Sequence, residues 1–106
     1  MRPHGALSLY ELNSLVAETI ATTLDRDYWV VAELSDVHEH GGHCYMDLIE
    51  KEERSNTPIA RAQARCWRSR WMLVKMHFER TTGQRFAAGI KVLIKGRAQL
   101  DRKSVV

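Results

Sequence analysis

The sequence predicts a small, mainly β domain: four strands, a helix ahead of them, and a second helix between the third and fourth. Two observations carry this. Apolar side chains recur at every second position over four segments, and at every third or fourth position over two others. The chain of 106 residues is also the length of one domain with a single core. Its 44% hydrophobic residues argue against disorder, and six glycines with two prolines exclude a collagenous or low-complexity chain. No apolar run approaches the ~20 residues of a membrane span, and no stretch reads as a signal peptide. The two cysteines, Cys44 and Cys66, cannot build a disulfide framework, which points to a reducing, cytoplasmic setting.

The first helix is expected over about residues 8–25. Ser8 and Glu11 fit a capping box, and Leu9, Leu12, Val16, Ile20 and Leu24 form one apolar stripe. A strand over 28–37 follows, with Val30, Ala32 and Leu34 on one face and Trp29, expected to pack against the helix, on the other. The run His38 to Gly42 reads as a turn, since paired glycines supply positive φ. The second strand, 43–50, puts Cys44, Met46 and Leu48 inside and His43, Tyr45, Asp47 and Ile49 outside. A third, 59–67, has Ala62, Ala64 and Cys66 on one face and Gln63, Arg65 and Trp67 on the other. Ser69 is placed to cap a helix over 70–82 that carries Trp71, Val74 and Phe78 inward and stops at Gly83. The last strand, 90–100, has Val92 and Ile94 on one face and Lys91, Lys95 and Arg97 on the other.

Three strands, a helix and a fourth strand make up most of an OB-fold, the five-stranded, partly open Greek-key barrel, here with an added N-terminal helix. Residues 101–106 are too few for the fifth strand, so the chain is expected to be a fragment of a longer protein, truncated within the fold. A two-layer α+β arrangement with a four-stranded antiparallel sheet uses the same elements and is the alternative. Charge is uneven: through Glu50 there are two basic and nine acidic residues (net −7), and from Lys51 onward fourteen basic and four acidic (net +10). The second half can attract a polyanion, although charge runs also serve simply to solvate a surface.

The segments Leu7-Ser8-Leu9-Tyr10-Glu11-Leu12-Asn13, Trp29-Val30-Val31-Ala32-Glu33-Leu34-Ser35-Asp36, Gly42-His43-Cys44-Tyr45-Met46-Asp47-Leu48, Ala62-Gln63-Ala64-Arg65-Cys66-Trp67 and Gly89-Ile90-Lys91-Val92-Leu93-Ile94-Lys95-Gly96-Arg97 resemble the N-terminal domain of the large subunit of bacterial exodeoxyribonuclease VII. The resemblance spans residues 7–100. It departs from the family pattern in a longer 51–58 loop, a longer 71–89 segment, and a tail without the Gly-x-Tyr hairpin that would begin the fifth strand. It implies a nuclease subunit that works with copies of a small helical subunit and degrades single-stranded DNA to oligonucleotides. In such proteins this domain holds the strand, and the hydrolytic residues and any divalent metal belong to a later domain.

Holding an unpaired strand needs cations for phosphates and flat rings for bases. The outer face of strands two to four is expected to supply Tyr45, Arg65, Trp67, Lys95 and Arg97, with His43 beside them, and to bind without sequence readout. Each has a plain alternative, such as an arginine shielding a half-buried tryptophan. No metal or other cofactor is expected for this domain. His38, His40, His43 and Cys44 lie close in sequence but point to different faces, and Asp36, Asp47 and Glu50 are expected to scatter. Cys66 reads as an inert core residue. The competing function is docking of a partner subunit through the same sheet. An open sheet edge would also permit a homodimer.

Overall fold

The computed structural model describes residues 5–101. Its elements follow the expected order: α1 (Leu9–Thr23), β1 (Tyr28–His40), β2 (His43–Lys51), β3 (Pro58–Cys66), α2 (Arg68–Thr82) and β4 (Lys91–Gly96). The strands form one sheet of order β3-β2-β1-β4, so β3 and β4 are its edges among the described residues. The tail expected to fall short of a fifth strand lies, beyond Asp101, outside the described residues. The chain divides into two compact units, one of Val31–Ile94, the other of the segment through Val30 with the segment from Lys95.

In the first unit, the Ser8 N–H donates to Glu11 Oε1 at 3.0 Å and the Glu11 N–H to Ser8 Oγ at 3.1 Å, which closes the expected capping box on α1. The buried line of α1 differs from the expected stripe. It runs through Asn13 and Ala17, flanked by half-buried Val16, Ile20 and Leu24, while Leu9 and Leu12 are exposed. An apolar stripe marks where burial is favourable. In α1 it is the small Asn13 and Ala17 side chains, not the leucines at its start, that are covered.

In the second unit, β1 and β2 form an antiparallel hairpin joined by two residues only, with His40 opposite His43. Gly41 (φ 61°) and Gly42 (φ 84°) hold the positive φ values that the twist-matched two-residue turn requires at both centres. The expected turn over His38–Gly42 is thus narrower, and His38, Glu39 and His40 belong to β1, because so tight a turn lets pairing run to its very edge. The register shifts between Leu34 and Asp36, a bulge at Ser35, whose Oγ donates to the Asp47 carbonyl at 3.2 Å. Across the bulge, Leu34 and Val37 both face the core.

The core is built as expected from Ala32, Leu34, Cys44, Met46, Leu48 and Val92, with Trp71 of α2 against them. Ala64 and Cys66 pack on it, whereas Ala62 and Val74 are exposed. Trp71 and Phe78 both meet Phe86 edge to face, at 5.1 and 5.2 Å between ring centres. The loop bearing Phe86 is held by its own N–H, which donates to Glu79 Oε2 at 3.1 Å. Burial of rings of this size contributes about 1.5–3 kcal/mol each. α2 ends as expected at left-handed Gly83, but its start differs: it begins at Arg68, with Trp67 in the cap position making no side-chain cap bond. Ser69 therefore lies inside the first turn.

The glycine turn also abuts α2. A Cβ on Gly42 would stand 3.1 Å from Arg68 Cβ, whereas one on Gly41 meets nothing closer than His43 Cδ2 at 3.7 Å. Gly42→Ala is expected to lower Tm by roughly 5–10 °C, from about 1–2 kcal/mol of left-handed strain plus the clash. Gly41→Asn, in a conformation asparagine tolerates, is expected to change Tm by less than about 3 °C. Thermal melts of the two variants check this.

Candidate nucleic-acid interface

Hairpin register builds the outer face of the second unit. Tyr45 of β2 lies opposite His38 of β1 and Arg65 of β3, so the three form a row across the strands on the face away from Cys44, Met46 and Leu48. The His38 and Tyr45 rings are stacked, with centres 5.3 Å apart and planes inclined by 17°. His43, two residues before Tyr45, meets it edge-on at 6.4 Å and meets Trp67 edge-on at 5.1 Å. The Arg65 guanidinium lies 5.7 Å from the centre of the Trp67 ring, within cation–π range. His38, Tyr45, His43, Trp67 and Arg65 thus make one continuous chain of contacts. It remains accessible: Trp67 is 51% exposed and the His38 side chain 61%.

The sequence reading placed Tyr45, Arg65, Trp67 and His43 on this face and missed His38, which it assigned to the turn. The signal was present. Counting outward from a two-residue turn at Gly41-Gly42 pairs His40 with His43 and therefore His38 with Tyr45.

His43 does more than line the face. The backbone N–H of Arg68, the first residue of α2, donates to His43 Nδ1 at 2.8 Å. The first amide of the helix, which has no partner within it, is satisfied from β2 rather than by a local cap. An accepting Nδ1 assigns the ring proton to Nε2. The same bond fixes the imidazole against which Trp67 is packed. One side chain therefore orients the helix start and the tryptophan ring together.

Lys95 and Arg97 belong to the other unit, where they form a group of their own. Lys95 Nζ lies 5.6 Å from the centre of the Trp29 ring. Trp29, expected to be packed against the first helix, is 65% exposed, its face offered to the ammonium instead. Arg97 falls just past β4 and pairs with Asp27, Nε to Oδ1 at 3.4 Å, both about half exposed. Such a surface pair is worth about 0–1 kcal/mol and leaves the guanidinium available.

Asp36 and Asp47, expected on different faces, are register partners across β1 and β2. The bulge brings them together, because it turns Asp36 outward one position early. The Asp36 carboxylate is taken up by His38, Oδ2 to Nδ1 at 3.2 Å. Among the described residues no group of three or more His, Cys, Asp or Glu side chains could hold a metal ion. Cys44 and Cys66 are register partners and free thiols. Burial, then the neighbouring Cys66 and Glu39, push the Cys44 thiol up to about 11, and burial also raises Cys66. Both stay protonated at neutral pH and behave as small apolar residues.

A four-stranded sheet with a helix between its third and fourth strands, carrying rings and an arginine on its outer face, is the arrangement of an oligonucleotide-binding β-domain. The comparison with known families agrees: the family described as OB-fold nucleic acid binding domain matches residues 7–104, and the chain belongs to it. The chain is also similar to the exodeoxyribonuclease 7 large subunit of Deinococcus radiodurans, 32% identical over 101 residues that cover 92% of this chain and 24% of that protein. It therefore spans about a quarter of the length of that relative. No solved structure matches. Among the described residues no helix is long and apolar enough to cross a membrane.

Replacing His43 by alanine is expected to cost about 1 kcal/mol, as for loss of a helix cap, and to lower Tm by roughly 4–8 °C. The Trp67 indole N–H resonance, separated from those of Trp29 and Trp71 by two-dimensional NMR, is expected to shift at the same time. His43→Asn, which keeps an acceptor on a short side chain, is expected to recover part of the Tm.

Proposed function

We propose that this chain is the single-stranded DNA-holding module of an exodeoxyribonuclease VII-like large subunit, a longer hydrolase that degrades single-stranded DNA to oligonucleotides. The observation that carries the reading is the row of rings ending in Arg65 on an open sheet face. Unpaired bases have π-faces that stack on such rings, each worth about 1–3 kcal/mol, and the phosphates between them need cations. In this reading Trp67, Tyr45 and Arg65 contact the strand, and His43 touches it at the edge of the row while holding Trp67 in place. Lys95 and Arg97 contribute further phosphate contacts. The chain is a single OB-fold domain that precedes the nuclease domain, and the phosphodiester is hydrolysed elsewhere in the longer protein.

The name of the Deinococcus relative, a large subunit, supports a small-subunit partner bound elsewhere in the parent protein. Two cysteines kept as thiols suit a cytoplasmic location. The edge of β3, unpaired among the described residues, would allow a second copy to add to the sheet.

The double variant Arg65→Ala, Trp67→Ala is expected to weaken binding of a labelled dT oligonucleotide at least about tenfold at low salt, the loss of one stacked base and one charge contact. For the unaltered chain, affinity is expected to fall log-linearly with salt concentration. Binding that is insensitive to both salt and the double substitution would favour the docking of a partner protein instead.

A further inference from the structure

The chain holds three tryptophans, and of these Trp71 alone is buried. The other two share one arrangement. Trp67 is more than half exposed, with the Arg65 guanidinium 5.7 Å from its ring centre. Trp29 is more than half exposed, with Lys95 Nζ 5.6 Å from its ring centre. Each compact unit therefore carries an open indole with a cation seated on it. Trp67 and Arg65 supply it in the second unit, Trp29 and Lys95 in the first.

Exposure of one apolar side chain says little by itself. What singles out Trp29 is the charge around it. Among the described residues Lys95 has no carboxylate partner, and its ammonium meets the indole instead. Arg97, two residues further on, is paired with Asp27 on the surface, where both stay about half exposed. These neighbours decide what suits the ring. A protein segment laid over it would bury the Lys95 ammonium too, a cost that needs a matching carboxylate in return. A single-stranded nucleic acid brings a flat base and a negative phosphate together in every nucleotide, and so answers the ring and the cation at once.

We infer that Trp29 and Lys95 form a second single-strand station, at which a base stacks on the indole and its phosphate meets Lys95. The inference rests on the proposed strand-holding reading and extends it. The strand gripped by the ring row of the second unit is gripped again on the first. Trp29 becomes a base-stacking residue, and Lys95, so far a phosphate contact alone, gains the ring it works with. Stacking and charge accept any base, so the second station adds affinity without sequence preference.

An oligo-dT of about 16 nucleotides, the upper end of what one OB-fold covers, tests this on the full 106-residue chain. The Trp29 and Trp67 indole N–H resonances, resolved by two-dimensional NMR, are both expected to shift as the oligonucleotide is added. Trp29→Leu keeps an apolar side chain but removes the flat ring. It is expected to weaken binding at least about fivefold, the low end for one stacked base. Trp29→Tyr, which keeps a ring, is expected to recover most of that loss. Lys95→Gln is expected to lower the slope of log affinity against log salt by about one. A Trp29 resonance that stays still while that of Trp67 moves overturns the second station and leaves the strand-holding reading intact. Equal affinity of Trp29→Leu and the unaltered chain does the same. If neither resonance moves, both readings fail.

Discussion

Two glycines with positive φ hold the account together. A two-residue connection leaves β1 and β2 one register, and that register decides which side chains meet on each face. A slip of one residue would bury Tyr45 and His43 and expose Cys44 and Met46. The turn also sets how near the hairpin comes to α2, because a hydrogen at Gly42 Cα leaves space that Arg68 Cβ occupies. From that approach follows the reach of His43 to the Arg68 amide, and from that bond follows the seat of Trp67. Turn chemistry, helix start and ring orientation form one sequence of dependence.

The outer face combines groups that seldom share a surface by chance. Four rings touch one another without being buried, and a guanidinium closes the row. Exposed rings lose water contact on their own account only in part, so an apolar partner with a flat face still gains by covering them. Cationic groups beside them recruit phosphate without demanding a particular base. The inner face does the opposite work. It is filled by Leu34, Cys44, Met46, Leu48 and the three rings of Trp71, Phe78 and Phe86, which fix the sheet on which the outer row stands.

Much of this was legible in the sequence, for physical reasons that differ by element. Strict alternation in β2 assigned Cys44, Met46 and Leu48 inward and Tyr45 outward, because period-two patterning leaves no other choice for a strand with one wet face. The capping box of α1 and the glycine stop of α2 are local chemistry and were read locally. What was not legible is what depends on distant residues. The cap of α2 comes from His43, 25 positions away, and no scan of neighbouring residues finds it. The rotation of α1 buries Asn13 and Ala17 rather than Leu9 and Leu12, which the apolar stripe alone does not foretell. The bulge at Ser35 has no glycine to announce it, so the juxtaposition of Asp36 and Asp47 went unseen. Phe86 lay in a segment without periodicity, yet it completes the aromatic core.

Where a single strand touches the protein decides most directly whether the row of rings is a binding surface. Backbone and side-chain NMR shifts, recorded while a short single-stranded oligonucleotide is added, report that contact residue by residue. The expected result is that the largest changes fall on His38, Tyr45, Arg65 and the Trp67 indole N–H. Changes confined to the exposed apolar side chains of the helices, such as Leu12, Leu15, Leu73 and Met76, with the ring row unmoved, would contradict it.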